Sequence, residues 1–140
     1  MSVRRFTRVA SLLGLALLAG CGSKQKVSVR TDPLGAEVYL QRRGVLEINA
    51  NVKGIPGKIT ANAFEEGFRL LGNAPVEYEF DLSEKDVGID VPEGSGSIVR
   101  HYKEGTIRVE REGYESVIRL VRFSGSTVDL MFTLQPLSND

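Results

Sequence analysis

Apolar and polar positions alternate with a period of two through most of the chain after residue 26. Val27-Ser28-Val29-Arg30-Thr31-Asp32 alternates, Pro33-Leu34-Gly35 interrupts, and Ala36-Glu37-Val38-Tyr39-Leu40 alternates again. This pattern predicts two strands, each with one buried face, joined by a turn in which proline fixes φ and glycine supplies freedom. Val76-Glu77-Tyr78-Glu79-Phe80-Asp81-Leu82 repeats it, with Val76, Tyr78, Phe80 and Leu82 inward and the three acids outward. Residues 97–102, Thr106–Arg111, Glu115–Phe123 and Thr127–Leu134 read as further strands separated by Lys103-Glu104-Gly105 and Ser124-Gly125-Ser126. Short alternating strands between glycine turns predict an all-β fold, a small antiparallel β-sandwich over residues 27–136. Residues 137–140 are left as a tail.

Two stretches break the pattern. Gln41 to Leu71 is a long connection for a compact domain. Its Phe64, Phe68 and Leu71, spaced by four and three, fit one or two turns of amphipathic helix. Connections of this length are more often functional or disordered than neutral, and Phe64, Phe68 and Arg69 are taken as a candidate partner surface. Ser83 to Gly96, rich in glycine and acid, is expected to be an exposed loop.

The first 20 residues differ from all of this. Arg4, Arg5 and Arg8 precede an apolar run from Val9 to Ala19 broken only by Ser11. Eleven residues of helix cover about 16 Å, against about 30 Å of bilayer hydrocarbon. Positive start, short apolar middle and small residues at the end predict a cleaved secretory leader, residues 1–20. Without those three arginines, 15 basic residues face 18 acidic ones, which argues against a nucleic-acid surface. Cys21 is the only cysteine, so no internal disulfide can form.

Leu18-Ala19-Gly20-Cys21 resembles the lipobox of bacterial lipoproteins at all four positions. The resemblance implies cleavage between Gly20 and Cys21, a diacylglycerol on the Cys21 thiol and an acyl chain on its new amino group. Each buried methylene contributes about 0.8 kcal/mol, so two or three chains make a durable anchor. Gly22, where enterobacterial sorting would need aspartate for inner-membrane retention, favours the outer membrane facing the periplasm. Residues 21–26 are read as the lipidated terminus and a flexible tether.

A second resemblance covers Val27 to Leu40 and Gly72 to Leu134. Pro33-Leu34-Gly35-Ala36, the turn Gly72-Asn73-Ala74-Pro75 and the corner Glu112-Gly113-Tyr114 are similar, in order, to motifs of the PEGA domain, with leucine where that family has glutamate. The family implies a Greek-key or transthyretin-like sandwich, non-enzymatic, in bacterial envelope proteins. Residues 41–71 are then an insertion.

No catalytic constellation is legible. His101 is the only histidine, and Val99-Arg100 and Tyr102-Lys103 give it neither nucleophile nor carboxylate. One histidine and a lipidated cysteine cannot make a zinc site. Glu77, Glu79 and Asp81 are expected to be a solvated face paired with Arg108 or Arg119. No catalytic residue, metal or cofactor is assigned. The expectation is a lipid-anchored envelope module that binds a protein or glycan partner. The alternatives are a small envelope enzyme with its site in residues 41–71, or a calcium-dependent adhesion module using Asp86, Asp90 and Glu93.

Overall fold

The structure, a computed structural model, describes residues 24–91 and 94–138. The leader, the Gly20–Cys21 cleavage and lipidation site, Glu93 and the last two residues lie outside the described residues. The architecture is all-β. Among the described residues nine strands run β1 (Lys24–Asp32), β2 (Glu37–Val52), β3 (Ile55–Glu65), β4 (Arg69–Asn73), β5 (Val76–Asp81), β6 (Ser83–Val91), β7 (Gly94–Glu110), β8 (Val117–Arg122) and β9 (Val128–Thr133).

They form two sheets. The small one has the order β5-β1-β9, with β1 antiparallel to β5 and parallel to β9. The large one has the path β3-β2-β7-β6, with β4 also pairing β2 and β8 also pairing β7. Each long strand therefore does two jobs. The first part of β2 and the last part of β7 pair with β4 and β8, and this half packs on the small sheet. The rest of β2 and β7 pairs with β3 and β6 and runs on beyond the sandwich.

Alternation decides what fills the sandwich. Val27 and Val29 of β1 meet Val38 and Leu40 of β2 and Ile107 and Val109 of β7, all fully or almost fully buried. Each such side chain stabilises the fold by roughly 1.5–3 kcal/mol. Phe80 fills the end nearest the extension, its ring edge-on to Phe123 at 5.0 Å and to Tyr102 at 5.7 Å. Gly105 makes room there, since a Cβ would come within 2.7 Å of the Phe123 ring.

Four expectations are corrected. Residues 63–71 are not helical: they end β3, cross at 66–68 and open β4. Ser83–Val91 and residues 94–96, expected in a loop, are instead β6 and the start of β7. Lys24, Gln25 and Lys26, assigned to the tether, begin β1, and Gln25 is completely buried. Its amide accepts from the Gly125 N–H at 2.9 Å and donates to the Ser126 carbonyl at 2.5 Å, which binds the first strand to the last turn. Glu77, Glu79 and Asp81 pair across β1 with Lys26 (3.3 Å) and Lys24 (3.6 and 4.0 Å), because β1 and not β7 is their neighbour.

Candidate functional site

The feature that does not serve the sandwich is the four-stranded extension, hereafter the arm: residues 45–63 of β2 and β3 and 83–101 of β6 and β7. The first half is a hairpin, and in the second β6 and β7 pair antiparallel as far as Val91 and Gly94. Lys53 and Gly54 turn the first with φ of 53° and 76°, the pair of positive values that a tight two-residue hairpin demands. The arm begins at a bulge between Arg43 and Gly44. Glycine is needed there, because a Cβ on Gly44 would sit 1.7 Å from the His101 carbonyl oxygen.

The two faces differ sharply. The face continuous with the sandwich interior carries Leu46, Ile48, Ala50 and Val52 from β2, with Ile59 and Ile98 on either side of Ile48 and Ile55 beside Val52. No second sheet covers it among the described residues. Ile55 is 72% exposed and Ile59 64%, where the same face inside the sandwich holds Val38 at 0%. The opposite face carries Glu47, Asn49, Asn51, Lys58, Ser95, Ser97 and His101, with Val45, Val99, Pro56 and Ala63 between them.

At the base of the apolar face lies a charged collar. The Arg42 side chain, only 6% exposed, forms a fork to Glu66, Nε to Oε2 at 3.0 Å and Nη2 to Oε1 at 3.1 Å. Its guanidinium lies over the rings of Tyr102 at 4.1 Å and Phe80 at 5.0 Å. The Tyr102 hydroxyl donates to Glu66 at 2.9 Å and lies 3.2 Å from Glu84, and Arg100 reaches Glu66 at 3.3 Å. Burial, then the hydrogen bond to Glu66, push the Tyr102 phenol up to about 12. Planar guanidinium against carboxylate and aromatic faces is the arrangement arginine suits and lysine does not.

The polar face holds a relay. Ser83 Oγ lies 2.7 Å from His101 Nδ1, and His101 Nε2 lies 2.5 Å from Glu47 Oε2. Lys58 Nζ holds the other Glu47 oxygen at 3.3 Å. With Nε2–H donated to the carboxylate, Nδ1 is free to accept the serine hydroxyl proton. Next to the relay a trough of about 430 Å³ is lined by Asn49, Asn51, Lys58, Lys85, Ser95 and Ser97 among others.

The residues expected to form a partner surface are not one surface. Phe64 packs edge-on against Tyr102 at 5.5 Å under Arg100, on the sandwich-facing side. Phe68 lies under Arg108 with Tyr39, on the other side of the sheet. Arg69 donates to the Tyr78 hydroxyl of the small sheet. Tyr39 itself titrates above its ordinary value, chiefly through its hydrogen bond to Glu37. The relay and the collar are what sequence reasoning missed: Glu47 and His101 stand 54 residues apart, and only strand register joins them. A usable signal was present in Leu46-Glu47-Ile48-Asn49-Ala50-Asn51-Val52, whose alternation is perfect.

The chain matches no protein-family model and no curated protein.

Proposed function

We propose that this chain is a lipid-anchored envelope protein, a PEGA-like sandwich whose arm is its working element, acting as a non-enzymatic binding or structural module. The observation that carries the reading is the uncovered apolar face of the arm, with Ile55 and Ile59 in solvent at the end of a well-packed domain. Contiguous apolar surface of this kind marks an interaction site rather than a free face. The lipobox supplies the address, and Cys21 is the residue that takes the lipid.

The test uses the full chain in a bacterial envelope. Labelled palmitate enters the parent protein and not Cys21→Ser. A photo-crosslinking residue at Ile59 yields an adduct with an envelope component, and one at Glu77, on the small sheet, yields none. Palmitate in Cys21→Ser would remove the anchor from the reading. Equal adducts at both sites would remove the arm.

One observation favours a second reading, a small envelope hydrolase: the Ser83–His101–Glu47 relay. Ser83 Oγ would attack an ester or amide carbonyl carbon while His101 takes its proton. His101 would return that proton to the leaving alcohol or amine as its bond to the acyl carbon breaks, and water would then release the acyl group from Ser83. A fluorophosphonate probe then labels the parent and not Ser83→Ala. Absence of label in the parent ends that reading.

A further inference from the structure

We infer that two copies of this chain pack their arms face to face, pointing in opposite directions, so that each arm covers the apolar face of the other. The inference rests on the reading of the arm as a binding element and names its partner as a second copy.

The step between sandwich and arm sets the direction. The small sheet stands over the first part of β2 and the last part of β7, about 10 Å away, as packed sheets do. Beyond the collar that layer is missing among the described residues, and Ile55 and Ile59 are in solvent. A second arm packed on this face also lies about 10 Å away and fills the missing layer. An arm pointing the same way would drive each small sheet into the long strands of the other copy. An arm pointing the opposite way meets no such obstacle until its tip reaches the end of the small sheet.

The rows of side chains set the register. Named by its β2 residue, row 48 is Ile59–Ile48–Ile98, row 50 is Gly57–Ala50–Gly96 and row 52 is Ile55–Val52–Gly94. A ridge of three isoleucines thus lies beside a groove of two glycines and an alanine, about 6.6 Å away along the strands. The chain's own packing does not call for the groove. A Cβ on Gly57 would meet nothing closer than the Ala50 carbonyl oxygen at 3.7 Å. Glycine inside a strand marks a place where something else comes close. An isologous contact needs a surface that complements itself. A two-fold axis across the strands lays each strand over the same strand of the second copy, and only the row on which it falls is free. Midway between rows 48 and 50, it sets Ile48 over Ala50 of the second copy, Ile59 over Gly57 and Ile98 over Gly96, and the same contacts recur in reverse. On β6 the residues of these two rows are Val87 and Ile89.

The ends of the arms agree with this register. It brings Lys53 and Gly54 of one copy over rows 45 and 44 of the other. Row 44 is the collar row, where Gly44 pairs with Tyr102 and Phe80 of the small sheet meets the Tyr102 ring. Row 46, with Leu46, Arg100 and Glu84, comes over row 52. Leu46 meets Val52 there, and Arg100 meets Gly94, which has no side chain to oppose it. The charged row thus lies at the margin of the contact, where interfaces carry their polar rim.

The area suits a pair held on one membrane. The overlap from row 45 to row 53 is eight residue steps, about 26 Å, across four strands about 19 Å wide. That is about 500 Å² on each copy and about 1,000 Å² in total, the least that a specific interface needs. Two copies anchored in one bilayer meet at a high effective concentration, so a contact of this size suffices there.

The test uses the full palmitate-labelled chain in a bacterial envelope. Two tagged forms, Leu46→Cys and Val52→Cys, are made together and mildly oxidised. A disulfide between the two forms is expected. Val52→Cys with itself is expected to give at least about tenfold less, since those residues lie about 20 Å apart along the strands. Ala50→Ile, added to both forms, sets isoleucine against isoleucine and lowers the mixed disulfide at least about tenfold. Adding Ile48→Ala as well exchanges ridge and groove and restores it to within about twofold. Val52→Cys pairing with itself as readily as with Leu46→Cys overturns the opposed arrangement. An exchanged variant no better than Ala50→Ile overturns the fit of ridge into groove. A photo-crosslinking residue at Ile59 that yields an adduct with a different protein, with no disulfide between the two forms, overturns the dimer and leaves the binding module standing. No adduct and no disulfide removes both readings.

Discussion

Arg42→Met tests the collar most directly. The substitution keeps a flexible apolar stem beside Phe80 and Tyr102 and removes the guanidinium that forks onto Glu66. Breaking a buried ion pair by removing one partner costs about 3–5 kcal/mol, because the remaining charge is left desolvated. Here the lower end applies. Glu66 still has Arg100 at 3.3 Å and the Tyr102 hydroxyl at 2.9 Å, and its side chain is 21% exposed. The expected loss is about 3 kcal/mol, or roughly 12 °C in Tm for a domain of this size. Urea unfolding followed by far-UV circular dichroism reads it as a fall in midpoint at constant slope. The double variant Arg42→Met with Glu66→Leu is the control. With both charges gone, stability should return to within about 1 kcal/mol of the parent, since apolar pairs replace buried ion pairs at little cost. A single variant as stable as the parent would show that the fork contributes nothing. A double variant no better than the single would show that the loss came from packing and not from the stranded carboxylate.

Gly44→Ala forces a Cβ against the His101 carbonyl and should cost about 3 kcal/mol, with hydrogen exchange rising across the arm before the sandwich. Protection unchanged in residues 45–52 would contradict the bulge geometry. Gln25→Ala removes both hydrogen bonds that tie β1 to the Ser124–Ser126 turn and should cost about 2 kcal/mol by urea unfolding. Tyr102 is protonated more tightly in the folded chain, about 12 against an ordinary 10.0. Its contribution is therefore complete below pH 10 and lost as pH climbs from 10 towards 12, by at most about 3 kcal/mol. Tyr102→Phe should flatten that alkaline limb, and an unchanged limb would assign it to other groups.

How far the sequence could be read depended on whether a residue's partners were local. Strands such as Val76–Asp81 were legible because alternation is a property of one segment. The arm was not, for two reasons. Phe64, Phe68 and Leu71 mimic helical spacing, yet Phe64 serves one face of the sheet and Phe68 the other. Between them the chain crosses over, held by the Glu66 N–H on the Arg42 carbonyl at 3.0 Å. In residues 83–96 the glycines and acids drew attention to flexibility and hid the every-second-residue series Val87, Ile89, Val91. The relay needed the register of three strands, β2, β6 and β7, and register follows from bulges at Arg43–Gly44 and Lys85–Val87 that no local pattern announces. The lipobox reading of Gly20 and Cys21 depends on four adjacent residues and needed no fold at all.

The burial of Gln25 has a consequence for the order in which the molecule is made. β1 lies between β5 and β9, and its Gln25 grips a backbone carbonyl 101 residues later. The strand pairs β2–β3 and β6–β7 of the arm, by contrast, are neighbours in sequence and close short loops quickly, before β2 and β7 meet. A chain emerging amino terminus first can form both pairs while its first strand still waits for the last. The sandwich cannot be completed until residues 125–134 have appeared, so through synthesis the apolar strand Val27–Thr31 has only β5 to pair with. That interval is when a chaperone would find it, and when a truncated product lacking β9 would be left open to proteases.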